Sequence, residues 1–324
     1  MPLSLDGLAL LELSLGGEPA YVPRRLPGGK TTWSHSSQSL AERCPALWKR
    51  RYLDRVADPP TSALAAGSAF GAALQHVYGA ALLERNVSAE EAAELAAATF
   101  DERAAEGLID AARAPAARER AIEASRAHAR ERAPVTLRSL GESLRAVERR
   151  FQLRLAGVDQ AGRPAVCEWP ISGYLDLDSD REVRDFKLVG RSHPTQAEAD
   201  RSLQGGLYLL ARAAEGDPAE RFVLDSTRRE HGPRSRTPRF AEVRTTRSEA
   251  ALVALQRRVA AAALSVALAA QVGSWPYAAT LAWWCAHGQC PAWARCPGGG
   301  LAAGSAPTAR ASNAEIADAG RAAA

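Results

Sequence analysis

The sequence predicts a mixed α/β domain with a helical insertion, and three observations lead there. Residues 151–155, 165–177 and 182–189 form β-like runs joined by Asp/Gly/Ser turns. A helix at 204–214 and a further strand at 221–227 follow them, so that helices and strands alternate around one core. Between residues 63 and 150 the chain is rich in Ala, Leu, Glu and Arg with few breakers, the pattern of several helices in succession.

Residues 1–30 contain Gly16-Gly17, Pro23 and Pro27-Gly28-Gly29, which predict a loose lead-in with one strand at 8–15. Ser34-His35-Ser36-Ser37 opens a first helix, its hydroxyls placed to cap free amides, and Cys44-Pro45 falls in or just after it. Leu47, Trp48, Tyr52 and Leu53 then supply an apolar helical face. The insertion spans about 85–150, with joints near Asn86-Val87-Ser88, Gly107 and Pro115, and its charges read as solvated faces. A long Ala-rich helix covers 248–271, an arginine-rich loop 228–239, and the Gly- and Ala-rich tail at 297–324 reads as disordered. Residues 31–296 therefore form a single domain. No internal repeat is visible.

A chain of 324 residues can bury a full core. The formal charge of +4 does not by itself select a nucleic-acid partner, so a DNA surface has to come from local arginine clusters such as Arg228, Arg229, Arg234 and Arg236. Lys30, Lys49 and Lys187 are the only lysines. Arginine replaces lysine well on a solvated surface, but not where a compact ammonium must touch one oxygen, and Lys187 is the lysine inside a chemical motif. The first residues lack a basic, apolar leader, and no segment approaches the roughly 20 apolar residues of a membrane span. The expectation is a soluble cytoplasmic protein with no membrane contact, in which clustered cysteines serve as metal ligands rather than disulfides.

Ile171-Ser172-Gly173-Tyr174-Leu175-Asp176 is followed, after a short turn, by Asp185-Phe186-Lys187. Asp176 and Asp185 would lie on the two strands of one hairpin and converge on one cation. Alternation puts Asp185 and Lys187 on one side and Phe186 on the opposite, buried one. Hard carboxylate oxygens suit Mg²⁺, and a neighbouring lysine can orient a water or steady charge on a phosphate. Asp-x-Lys alone is commonly a surface pair. Gln204 and Tyr208, at i and i+4 on one helix face, add a third signal in the same order.

Cys44 and the late trio Cys285, Cys290 and Cys296 offer four thiolates, which can hold an iron–sulfur cubane or a structural zinc, or remain reduced and buried. The late spacings lack the short Cys-x-x-Cys knuckle usual for zinc. Cys167 reads as a small buried hydrophobe. Trp283, Trp284 and Trp293 would shield the cluster or stack a base.

In these motifs the chain resembles a RecB-type member of the PD-(D/E)xK nuclease superfamily, close to the iron–sulfur exonucleases of CRISPR systems and phages. Residues 34–296 carry, in order, the early Cys-Pro helix, a Gly…His helix, Gly-x-x-Asp, Asp-x-Lys, Gln-x-x-x-Tyr and the late cysteines. The resemblance implies a restriction-endonuclease-like core and a 4Fe–4S cluster on Cys44, Cys285, Cys290 and Cys296 that clamps the C-terminal segment 283–296. It further implies Mg²⁺ or Mn²⁺ on His76, Asp176, Asp185 and the Phe186 carbonyl, with Lys187 catalytic and Gln204 and Tyr208 in support. Its histidine element fits least: the family shows Gly-x-x-x-His, whereas His76 comes one residue late after Gly71.

The implied activity is hydrolysis of DNA, exonucleolytic, on single strands or ends, with a recombination or CRISPR-adaptation protein as a possible partner. Two rivals stay open. One is a catalytically weakened DNA-binding or assembly subunit that keeps the fold and cluster; the other is a zinc-stabilised nucleic-acid binder.

Overall fold

The computed structural model describes residues 32–56, 61–106, 113–158, 164–190, 192–229, 239–278, 284–285, 290–293 and 296. The expected strand at 8–15, the tail at 297–324, Trp283, and Arg234 and Arg236 lie outside them, as does the side chain of Cys167.

Two short helices lead in. In α1 (His35–Arg43) the Ser34 hydroxyl accepts the Ser37 amide at 3.2 Å. Cys44 closes α1 and opens α2 (Pro45–Tyr52), its sulfur accepting the Leu47 amide, with Pro45 at the first position, where no amide is needed. After α3 (Ser62–Ala81), the insertion contains α4 (Ala89–Ala105), α5 (Ala114–Ala127), a π-helical turn (His128–Arg132) and α6 (Ala133–Leu140). Ser88 and Glu91 form a capping box that starts α4.

Five strands follow: β1 (Leu144–Val158), β2 (Pro164–Ser179), β3 (Glu182–Val189), β4 (Arg221–Arg228) and β5 (Phe240–Thr245). They stand in the sheet in chain order. Neighbours are antiparallel except β3 and β4, whose parallel pairing requires a crossover supplied by α7 (Gln196–Asp200) and α8 (Leu203–Ala214). The final helix is α9 (Glu249–Val272).

Each sheet face buries its own core. Trp33, Trp48, Phe151, Leu175, Phe222 and Val259 belong to the cluster that joins one face to α1, α2, α8 and α9. Phe70, Leu74, Tyr78, Phe100, Leu140 and Leu177 belong to the other, under the insertion. The insertion is thus the second layer of the domain, not an appendage.

Two expectations are corrected. β1 begins at Leu144 rather than Phe151, so the insertion ends near Ser143 and not Arg150; Arg145 and Arg149 read in sequence as a solvated helical face, but each pairs with acids distant in the chain. Contrary to the reading that no segment approaches a membrane span, α9 is long and apolar enough to cross one. Leu252, Val259, Ala263 and Val266 on that helix lie in the domain core.

Candidate active site

β2 pairs with β3 only at Leu177↔Arg184 and Asp178↔Val183. Beyond Leu177 the two strands separate, and the gap contains the motif residues. Asp176 bridges it: one carboxylate oxygen accepts the Phe186 amide at 2.9 Å, a side chain standing in for the missing ladder bond. The N–H and C=O of a strand residue point to the same edge, so the Phe186 carbonyl faces this gap too. Gly173 makes the close approach behind it possible, since a Cβ there would lie 2.7 Å from the Phe151 ring.

Alternation along β3 sends Asp185 and Lys187 to one side, while Phe186 stacks on Tyr78 of α3 with ring centroids 5.0 Å apart. Asp185 is fully buried. Lys187 Nζ donates to Asp185 Oδ1 at 3.1 Å and to Gln204 Oε1 at 3.0 Å. Gln204 Nε2 in turn donates to the Tyr208 hydroxyl at 2.7 Å, the two side chains sharing one face of α8. The structure therefore brings Asp176, Asp185, Lys187, Gln204 and Tyr208 into one chain of contacts.

The electrostatics are those of carboxylates short of positive charge. Burial, and then the Asp185 charge, push the Asp176 carboxyl well above its usual range. Burial raises Asp185 as well, with Lys187 opposing. Burial also works against the Lys187 ammonium, but Asp185 more than offsets this and the lysine ends above its ordinary value. Tyr208 is pushed up by burial and by both aspartates. One lysine shared by two buried aspartates leaves a demand for a cation.

Three nearby residues were not singled out in the sequence. His35, at the start of α1, has its pKa lowered to about 4 by burial and by the Lys187 charge. With His193, whose ring meets the Ser226 hydroxyl at 2.8 Å, it lines a cavity of about 450 Å³ that opens beside Lys187. Glu148 on β1 is half-buried, and burial and Asp185 raise its carboxyl. A lone histidine in a serine-rich cap and a glutamate among arginines carry no periodic signal; the cavity identifies the histidines and the strand register identifies Glu148.

Three expected site residues are placed elsewhere. His76 is exposed on α3, where its charge is felt by Glu91. It stands beside the exposed Gln75, whereas Ala73, Leu74, Val77 and Tyr78 are buried, so neither the fourth nor the fifth position after Gly71 faces the sheet. Arg228 ends β4 with its side chain buried, so it presents no open guanidinium for tracking a DNA backbone, and Arg229 is half-buried against Gly190.

Cys44, Cys285, Cys290 and Cys296 line one cavity of about 420 Å³, with Trp275 and Trp284 in its wall. Arg43 lies over the Trp284 ring at 5.2 Å. Burial, and then the charges of Cys290, Cys296 and Cys44, push the Cys285 thiol up. Among the described residues no three His, Cys, Asp or Glu side chains are gathered tightly enough to share a single ion.

A sheet whose second and third strands part around two aspartates and a lysine, with a helix-borne Gln and Tyr behind them, defines a nuclease core. The PD-(D/E)XK nuclease superfamily profile matches residues 32–297, and the chain belongs to that superfamily. Among solved structures, a crystal structure described as a "Putative exonuclease" from Eubacterium rectale is similar at 12% identity and a TM-score of 0.45, over 80% of this chain and 89% of that one. No curated protein sequence matches the chain.

Proposed function

We propose that this nuclease hydrolyses phosphodiester bonds in DNA as an exonuclease acting on single strands or ends, at a Mg²⁺ or Mn²⁺ site held by Asp176, Asp185 and the Phe186 carbonyl. The observation that carries this reading is the meeting of Asp176, Asp185 and Lys187 where β2 leaves β3. The donor set fits a hard divalent cation, being two carboxylates and a carbonyl around a fully buried Asp185. When bound, the cation supplies Lewis-acid activation of water and stabilises charge on the phosphate. Lys187 steadies negative charge on a phosphate oxygen or orients the attacking water; Asp185 and Gln204 hold its ammonium in place, and Tyr208 holds Gln204. The cavity lined by His35 and His193 gives a nucleotide room beside that ammonium.

The same reading gives Cys44, Cys285, Cys290 and Cys296 a 4Fe–4S cluster that ties the first two helices to the C-terminal segment. Their soft sulfur donors and their shared cavity support it. Anaerobically purified protein is expected to be brown, with iron–sulfur charge-transfer absorption; a colourless protein with stoichiometric zinc would contradict the cluster.

The deciding experiment is cleavage of end-labelled single- and double-stranded DNA with Mg²⁺ or Mn²⁺, by wild type beside Lys187→Ala. Wild type is expected to shorten DNA from its ends, and the variant to lose about 10²–10⁴-fold in rate. Folded wild type that binds DNA without cutting would favour the weakened DNA-binding or assembly subunit, a reading to which the outward-facing His76 lends weight.

A further inference from the structure

We propose that Glu148 supplies a third carboxylate to the cation site, delivered from β1 in place of the helix-borne histidine that this chain turns outward. The inference rests on the cation reading of Asp176 and Asp185 given above.

The register places it there. Val147 pairs with Leu177 and Arg149 with Leu175, so Glu148 stands directly across from Asp176, and side chains opposite each other in antiparallel strands share a face. Glu148 also has a φ of +51°, one of three non-glycine residues with positive φ among those described. This backbone reverses the alternation of β1. Val147 packs under the insertion, whereas Phe151 and Leu153, an even number of residues on, lie in the opposite core. Leu177 and Leu175 switch cores at the matching point of β2, with Asp176 between them. The sheet thus changes face at the Glu148–Asp176 pair, which directs both carboxylates to the rim of the gap. A left-handed glutamate inside a strand is unfavourable, and such strain concentrates where geometry serves a site.

Among the described residues no basic side chain pairs with Glu148. Its neighbours are engaged elsewhere, Arg149 with Asp178 and Glu215, and Arg145 with Asp180 and Asp217. The charge of Glu148 is instead felt by Asp176 and Tyr208, inside the site. Lys187 Nζ lies 2.8 Å from Oδ2 and 3.1 Å from Oδ1 of the fully buried Asp185, so a single ammonium serves both oxygens of that carboxylate. The three acids do not yet close on a common point. Like charge opposes such closure, and the glutamate, with its three side-chain torsions, can swing in once a cation is there.

The test is titration calorimetry of the full chain with Mn²⁺ alone, for wild type, Glu148→Gln, Glu148→Gly, Asp185→Asn and His76→Ala. Expected are a site lost in Asp185→Asn, binding weakened about 10–100-fold in Glu148→Gln, and wild-type affinity in His76→Ala. Glu148→Gly separates ligation from folding: glycine relieves the left-handed backbone, so its melting temperature in chelator is expected to match or exceed wild type while Mn²⁺ binding weakens. Wild-type affinity in Glu148→Gln beside a null Asp185→Asn would overturn the role of Glu148 alone. No Mn²⁺ site in wild type, or an undiminished one in Asp185→Asn, would overturn the cation reading beneath it, and this proposal with it.

Discussion

Arg184 and Asp185 are consecutive residues of β3, both fully buried, and they point to opposite faces of the sheet. Toward the insertion, Arg184 meets Glu182 at 2.6 Å and Asp225 at 3.0 Å, and also touches Glu242. Arg132, from the π-helical turn, pairs with Asp225 at 2.8 Å and with Glu242, while Arg221 meets Glu182 at 3.0 Å. Toward α8, Asp185 has Lys187, with Asp176 and Glu148 near enough for the carboxylates to raise one another. Equal burial with unequal compensation marks the division of labour. Charges matched within the protein hold layers together, and charges left short of a partner await one from solution.

The largest stability effect is expected on the matched face. Arg184→Met would leave the buried Glu182 and Asp225 and the half-buried Glu242 with too little positive charge, at about 3–5 kcal/mol. Denaturant unfolding measures it, and a change within experimental error would show that this network is not what docks the insertion on the sheet.

A smaller effect, with a defined pH window, comes from His128 on the same face. Its ring meets the Tyr78 hydroxyl and the Thr227 hydroxyl, each at 2.9 Å, and burial, followed by Arg132 and Arg184, lowers its pKa to about 3. The folded state holds the ring neutral, whereas the unfolded chain protonates it near 6.5. Its contribution is therefore full above pH 6.5 and is lost as the pH falls toward 3, by about 2 kcal/mol at pH 5 at ~1.4 kcal/mol per pH unit. His128→Gln is expected to start less stable at pH 7.5 and to lose less between pH 7 and 5. An unchanged slope would place the acid sensitivity elsewhere.

The unmatched face was far more legible in the sequence than the matched one. Asp185, Phe186 and Lys187 obey simple strand alternation, and Gln204 with Tyr208 obeys the i, i+4 rule, so local periodicity brought them together on paper. Arg184, Asp225 and Arg132 have no such signature. They meet across 41 and 93 residues of chain, and a charged residue met singly in a sequence reads as solvated. Glu148 was hidden for a related reason: Arg145-Ala146-Val147-Glu148-Arg149-Arg150 reads as a charged helical face until the pairing of β1 with β2 sets Glu148 against Asp176. His76 failed because the motif was matched by residue type at a stretch of α3, Gln75-His76, that is exposed.

The comparison is tested most directly by melting Asp185→Asn and Arg184→Met beside wild type at pH 8 in chelator. Burial raises the Asp185 carboxyl, so its ionisation at pH 8 costs stability, and the neutral asparagine is expected to melt at or above wild type while Arg184→Met melts well below it. Equal losses in the two variants would contradict the claim that one face of β3 is built for structure and the other for a cation.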